Sequence, residues 1–167
     1  KFLTMKVFMK YIILTLMFFG SIGASADTPM QPLKKILNQS EAEISTYIYI
    51  SNRCAGLYLA SSEILQGKIR EQYILDALNL LTISRNLLNK TTDLDLMDSQ
   101  LTAQKDLEKF KNIYSNISEK EYIKSGKRAS NMMEEDLFTC SPIAGPLIAE
   151  LPDALIIKEL PKAYKNL

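Results

Sequence analysis

From Leu33 onwards, apolar positions recur at three- and four-residue spacings, the period of helices with one buried face. Pro32 followed by Leu33–Asn38 predicts a short helix with proline in its first turn. Ser40-Glu41-Ala42-Glu43 has capping-box spacing and predicts a long helix reaching about Gln66, with Gly67 as its stop. Its apolar positions are Ile44, Tyr47, Ile48, Ile50, Cys54, Ala55, Leu57, Tyr58, Leu59, Ile64 and Leu65, an arc of roughly 220° on the helical wheel. Asn52, Arg53, Gly56 and Glu63 share the narrow polar side. A helix so widely apolar needs two or three neighbours. Small Ser51, Ala55 and Ser62 near the centre of the arc predict a close approach by one of them.

A second helix is expected from about Lys68 to Asn89, with Ile69, Tyr73, Ala77, Leu80, Leu81, Ser84, Leu87 and Leu88 on one face. The run Asn89–Thr92 breaks it. A third is expected from about Asp93 to Asn116, carried by Ala103, Leu107, Phe110, Tyr114 and Ile117. Ser118-Glu119-Lys120-Glu121 repeats the capping-box spacing and predicts a fourth helix with an inner stripe of Tyr122, Gly126, Ala129, Met133, Leu137 and Cys140. Beyond it, Pro142, Pro146, Pro152 and Pro161 predict only short helical pieces. Leu147, Ile148, Leu151 and Leu155–Ile157 are too apolar for a solvated tail, so that segment is expected to pack on the helices. No stretch alternates like a strand, and no long repeat is present. The expected fold class is therefore all-α: a four-helix antiparallel bundle with a short N-terminal helix and a packed, Pro-rich C-terminal extension.

The first 26 residues follow a different pattern. Met5 opens a short basic segment with Lys6 and Lys10, an apolar run from Tyr11 to Phe19 follows, and small residues end in Ala24-Ser25-Ala26. This is the pattern of a secretory signal peptide, removed between Ala26 and Asp27. Even counted through Ile22 the run is shorter than the about 20 residues a spanning helix needs. The expected division is 1–26 signal, 27–39 linker and short helix, 40–141 bundle, and 142–167 extension. Export to a periplasmic or extracellular compartment follows, without stable membrane insertion once the signal is removed.

That division changes the charge. Of 20 basic residues, Lys1, Lys6 and Lys10 leave with the signal, so 17 remain against 19 acidic ones, a net charge of −2 where the whole chain has +1. Nothing in this balance points to nucleic acid. The chain has no histidine and no tryptophan. The missing histidine excludes a Ser-His-Asp or Cys-His centre, a histidine base, His-ligated metal and a proximal-His haem. P-loop, dinucleotide-binding, nucleophile-elbow, S-x-x-K and C-x-x-C-H patterns are also absent. No cofactor, no metal and no catalytic residue is expected.

Cys54 and Cys140 are the two cysteines. In an oxidising compartment such a pair is expected to form a structural disulfide, and no C-x-x-C motif marks it as a redox site.

Five other groups carry candidate chemistry. Asp93, Asp95 and Asp98 begin like a calcium loop, but Asp98 and Gln104 stand where such a loop needs Gly and Glu. They are read instead as acids at a helix N-terminus. Glu134-Glu135-Asp136 reads as a solvated acidic patch. Lys120, Lys124 and Lys127, with Arg128 beside them, form a basic stripe able to dock an acidic partner. Tyr47, Tyr58, Tyr73, Tyr114 and Tyr122 fall on inner faces of four helices and could line an apolar ligand pocket. Asn38, Asn89 and Asn116 open N-x-S/T sequons. The expected function is that of a non-enzymatic exported interaction protein with another protein as partner. The alternative is a carrier of a small apolar ligand in the tyrosine-lined interior.

Overall fold

A computed structural model describes residues 30–41 and 43–165. The expected signal peptide and the first residues of the linker lie outside them. The described elements are α1 (Leu33–Gln39), α2 (Ile44–Ser62), α3 (Gly67–Thr91), α4 (Leu96–Ser125) and α5 (Asn131–Ala149). A 3-10 turn at Asp153–Leu155 and a single-turn helix α6 (Lys162–Lys165) follow. Among the described residues there is no strand. The protein is all-helical, and its helices pack as a bundle.

The centre of the bundle is α2, in which every residue from Ile50 to Ser62 is buried. The helix is enclosed by α3, α4 and α5, and α1 packs on α5. Its start differs from the expected capping box. Glu43 is the N-cap, and the Ser40 hydroxyl instead donates to the Ile36 carbonyl, closing α1. At the other end α2 stops at Ser62, and Gly67, with φ +61, begins α3 rather than ending α2.

The polar side of α2 is not a solvated face; it is the seam with α4. Asn52 Nδ2 donates to Asp106 at 3.3 Å, Arg53 reaches Tyr114, and Glu63 meets Ser115 and Lys111. Asn52–Asp106 and Glu63–Ser115 rise together along the two chains, so α2 and α4 run in the same direction. Gly56 lies at the closest approach. A Cβ there would sit 2.5 Å from the Phe110 Cβ and 2.7 Å from the Lys111 backbone N. Ser51, Ala55 and Ser62 were the expected close contact, but the missing side chain of Gly56 is what lets the backbones touch. Gly56→Ala gains about 1 kcal/mol of helix propensity, yet the overlap involves backbone that cannot rotate away and costs about 1–3 kcal/mol. The expected net result is a loss of up to about 2 kcal/mol and a Tm lowered by up to roughly 8 °C, read by thermal melts of oxidised protein.

The third and fourth helices are divided differently from the sequence expectation. α4 runs through Ser118 without a break and ends at Gly126, whose φ of +76 is the left-handed stop glycine provides. The Ser118 hydroxyl, expected as a cap, instead donates to the Arg128 carbonyl at 2.5 Å. α5 then starts at Asn131, with Ser130 accepting from the Met133 N–H. It also continues to Ala149, past the expected boundary at residue 141. Pro142 and Pro146 each remove one helical hydrogen bond, from the carbonyls of Phe138 and Pro142. Phe138, Pro142 and Pro146 are all exposed, so water can take the place of the missing donors. Past α5, Asn79 of α3 holds the chain by two bonds, accepting from Ile157 N at 2.7 Å and donating to Ile157 O at 3.2 Å.

Candidate functional site

The densest polar arrangement in the bundle is built on one lone charge. Arg53 is the only charged residue in the 19 residues of α2, and its side chain is fully buried. A guanidinium withdrawn from water needs compensation on most of its donors. Its Nη2 donates to Asp136 Oδ2 at 2.5 Å and to the Gln31 carbonyl at 2.6 Å. Its Nη1 donates to the Tyr49 hydroxyl and its Nε to the Tyr114 hydroxyl, both at 2.9 Å. Tyr114 passes its own proton toward Asp136 Oδ2 at 2.5 Å. The other Asp136 oxygen accepts the Leu33 N–H at 2.6 Å. One ion pair thus ties α2, α4, α5 and the start of α1 together.

Cys54–Cys140 lies directly beside it, with Cα atoms 5.6 Å apart. The expected disulfide is present, and it joins α2 to α5 as the ion pair does.

Burial opposes the Arg53 charge, but Tyr114 and Asp136 outweigh it and keep the guanidinium charged beyond its ordinary range. Burial also pushes the Tyr114 hydroxyl up, opposed by Arg53 and reinforced by Asp136. Tyr58 is raised in the same way, by burial first and then by nearby Asp76. In the unfolded chain these phenols ionise near pH 10, whereas in the folded chain they retain their protons. Above about pH 10 the unfolded state therefore binds fewer protons, and stability falls by up to about 1.4 kcal/mol per pH unit for each of the two. Urea unfolding at pH 9, 10 and 11 should show that slope, and Tyr58→Phe should make it shallower.

Chemically the Arg53 cluster is closed. Arg53 and Asp136 are both fully buried, which leaves no approach for a substrate. It is a structural tie. It also corrects the acidic-patch expectation, since Asp136 is buried while Glu134 and Glu135 are exposed. The signal for Asp136 was in the sequence. Once α5 starts at Asn131, Asp136 falls on the same stripe as Met133, Cys140 and Ala144.

The five candidate tyrosines do not converge. Tyr114 belongs to the ion-pair cluster, the tilted rings of Tyr58 and Tyr73 pack against each other with centroids 5.1 Å apart, and Tyr47 is exposed. Tyr122 is also exposed, with the Arg128 guanidinium 4.7 Å above its ring. Lys120 and Lys124 lie on the last turns of α4, while Lys127 and Arg128 follow Gly126 in the loop; all four are exposed. They stay together at the C-terminal end of α4, although Gly126 ends the helix between Lys124 and Lys127. Asp95 caps α4 by accepting the Asp98 N–H at 2.8 Å, with Asp98 in the first turn. Among the described residues, no group of acids and cysteines could hold a metal ion. Nor is any described helix long and apolar enough to cross a membrane. The sequon asparagines Asn38, Asn89 and Asn116 lie on α1, α3 and α4, all exposed.

Fold and ties together define an all-helical bundle fastened through its centre by a disulfide and a buried ion pair. No protein family, no curated protein and no solved structure matches the chain.

Proposed function

We propose that this chain is a non-enzymatic exported protein of the inhibitor, immunity, chaperone or envelope-assembly kind, acting through contact with another protein. In this reading α2–α5 form a four-helix antiparallel bundle with α1 at its N-terminal side and the segment after α5 packed on it. The common direction of α2 and α4 supports that order, because alternate helices of an up-and-down bundle are parallel. The Asn79–Ile157 bonds support the packed extension.

The observation that carries the reading is the exposed end of α4. Glu63, just past the end of α2, accepts from Ser115, and α4 then continues to Ser125, about 15 Å further at the helical rise. That length carries Lys120, Lys124 and an Ile123 that is 78% exposed, followed by Lys127 and Arg128. An exposed aliphatic side chain in a stretch where four cations outnumber two acids, Glu119 and Glu121, suits a partner with an acidic rim around an apolar spot.

The test is a cross-linking pull-down from the native compartment with wild-type chain, with Lys120→Glu/Lys124→Glu/Lys127→Glu, and with Ile123→Asp. One stoichiometric partner should be captured by the wild type at low salt, not captured when cross-linking is done at high salt, and lost with both variants. Capture that survives both would count against the α4 end as the contact surface. All four positions are exposed, so the folded structure should be unaffected.

A further inference from the structure

On α5 the chain carries the kind of surface that its own α4 end would meet. From Asn131 to Glu150 there is no lysine or arginine. Glu134, Phe138, Pro142, Pro146 and Glu150 stand four residues apart and are all exposed, Phe138 at 84%. Residues at that spacing stay on one slowly turning face of a helix. The face is about 24 Å long from Glu134 to Glu150 at the helical rise. Glu135 widens its acidic start. Between Asp136, which is buried on Arg53, and Glu150 there is no charged residue. The face is therefore apolar in its middle and acidic at both ends.

The α4 end is its complement. Lys120, Ile123 and Lys124 share one helix face, since residues three and four apart are neighbours. Lys127 and Arg128 follow directly, and all five are exposed. None of these cations, and none of the three glutamates on the α5 face, has an ion-pair partner among the described residues. The opposite charges therefore do not satisfy each other within one chain. Two α5 faces laid together would set acid against acid in either direction, and two α4 ends would set cation against cation. The α4 end of one copy on the α5 face of another matches both the charge and the apolar surface.

We propose that the α5 face of one copy receives the α4 end of a second copy of this chain, Ile123 packing on Phe138 and Pro142 while Lys120 and Lys124 face Glu134 and Glu135. Each copy carries both halves, so two copies related by a two-fold axis make the contact twice. Complementary charge of this kind rejects the like-with-like pairings and fixes the register. The inference rests on the α4 end being a contact surface, and it makes a second copy the competitor of the other protein for that surface. The two fail separately: self-association is measured on purified chain alone, whereas the pull-down reads a different protein.

The experiment is sedimentation equilibrium of the purified chain, residues 27–167, at low salt over a range of concentrations. Wild type should form dimers that dissociate as salt is raised. Lys120→Glu/Lys124→Glu/Lys127→Glu and Glu134→Lys/Glu135→Lys should each weaken dimerisation at least about tenfold, through like charges set face to face. Phe138→Ser should weaken it about tenfold as well. All of these positions are exposed, and circular dichroism should confirm that each variant is folded. An equal mixture of the two charge variants should dimerise again, because the acidic α4 end of one then meets the basic α5 face of the other. A wild type that stays monomeric at every concentration overturns the proposal, as does dimerisation of wild-type strength in any variant. Charge variants that are each monomeric and fail to combine when mixed overturn the pairing of α4 with α5.

Discussion

Asp136→Leu is expected to lower stability by about 3–5 kcal/mol, one of the two largest effects of any change short of unfolding the chain. The side chain it replaces is fully buried and accepts from Arg53, Tyr114 and the Leu33 backbone. Removing it leaves a guanidinium in the core with no counter-charge, while its remaining partners are two hydroxyls and one carbonyl. The Leu33 N–H loses its acceptor as well, so protease cleavage near α1 should accelerate along with global unfolding. The double change Arg53→Met/Asp136→Leu should recover much of the loss, because no unpaired charge is then buried. What remains is the cost of the orphaned Tyr114 hydroxyl, Leu33 N–H and Gln31 carbonyl, about 1–3 kcal/mol for a fully buried group. Urea unfolding of the four members of this cycle measures the coupling directly. A single Asp136→Leu variant within 1 kcal/mol of wild type, on the scale of an exposed pair, would show that the cluster does not hold the core.

The second large effect is expected from the disulfide. Cys54 and Cys140 are 86 residues apart in sequence, and closing so long a loop stabilises by about 4–5 kcal/mol in the chain-entropy model. Cys54→Ala/Cys140→Ala should lose about that amount, as should reduction of the wild type, read as lower urea midpoints. The two ties act on different states: the bridge restricts the unfolded chain, and the ion pair stabilises the folded one. Their losses should therefore largely add. Together they approach the total stability of about 5–15 kcal/mol usual for a domain, so a chain lacking both should be unfolded or nearly so. Equal midpoints for oxidised and reduced protein would contradict this account.

Legibility of the sequence varied with the kind of signal. The ladder Ala103, Leu107, Phe110, Tyr114 was read correctly because an apolar stripe at helical spacing has one physical meaning, a face turned inward. The break between α4 and α5 was misplaced because Ser118 and Glu121 carry cap spacing within a helix whose apolar ladder continues past them. Gly126 decided the matter, since a left-handed stop is favoured for glycine and for few other residues. Pro142 and Pro146 were read as breaks, but their four-residue spacing puts both on one exposed face, where the lost bonds can be replaced by water. The tyrosine pocket was an extrapolation from faces to a common interior. Tyr58 and Tyr73 meet each other, whereas Tyr114 belongs to the ion pair.

Helical class and the pairing of the two cysteines were determined by the sequence alone. Periodicity is a local property, and two cysteines allow one intramolecular pairing. Arg53 and Asp136 are different. A wheel ranks positions by the average polarity of a face, so a lone arginine on a polar side and an aspartate after two glutamates both read as solvated. Only the packing of α2 against α3, α4 and α5 shows that α2 has no solvated side over Ile50–Ser62. Burial of a charge depends on what the other helices bring to it, and residues 83 apart in sequence, such as Arg53 and Asp136, become partners only in three dimensions.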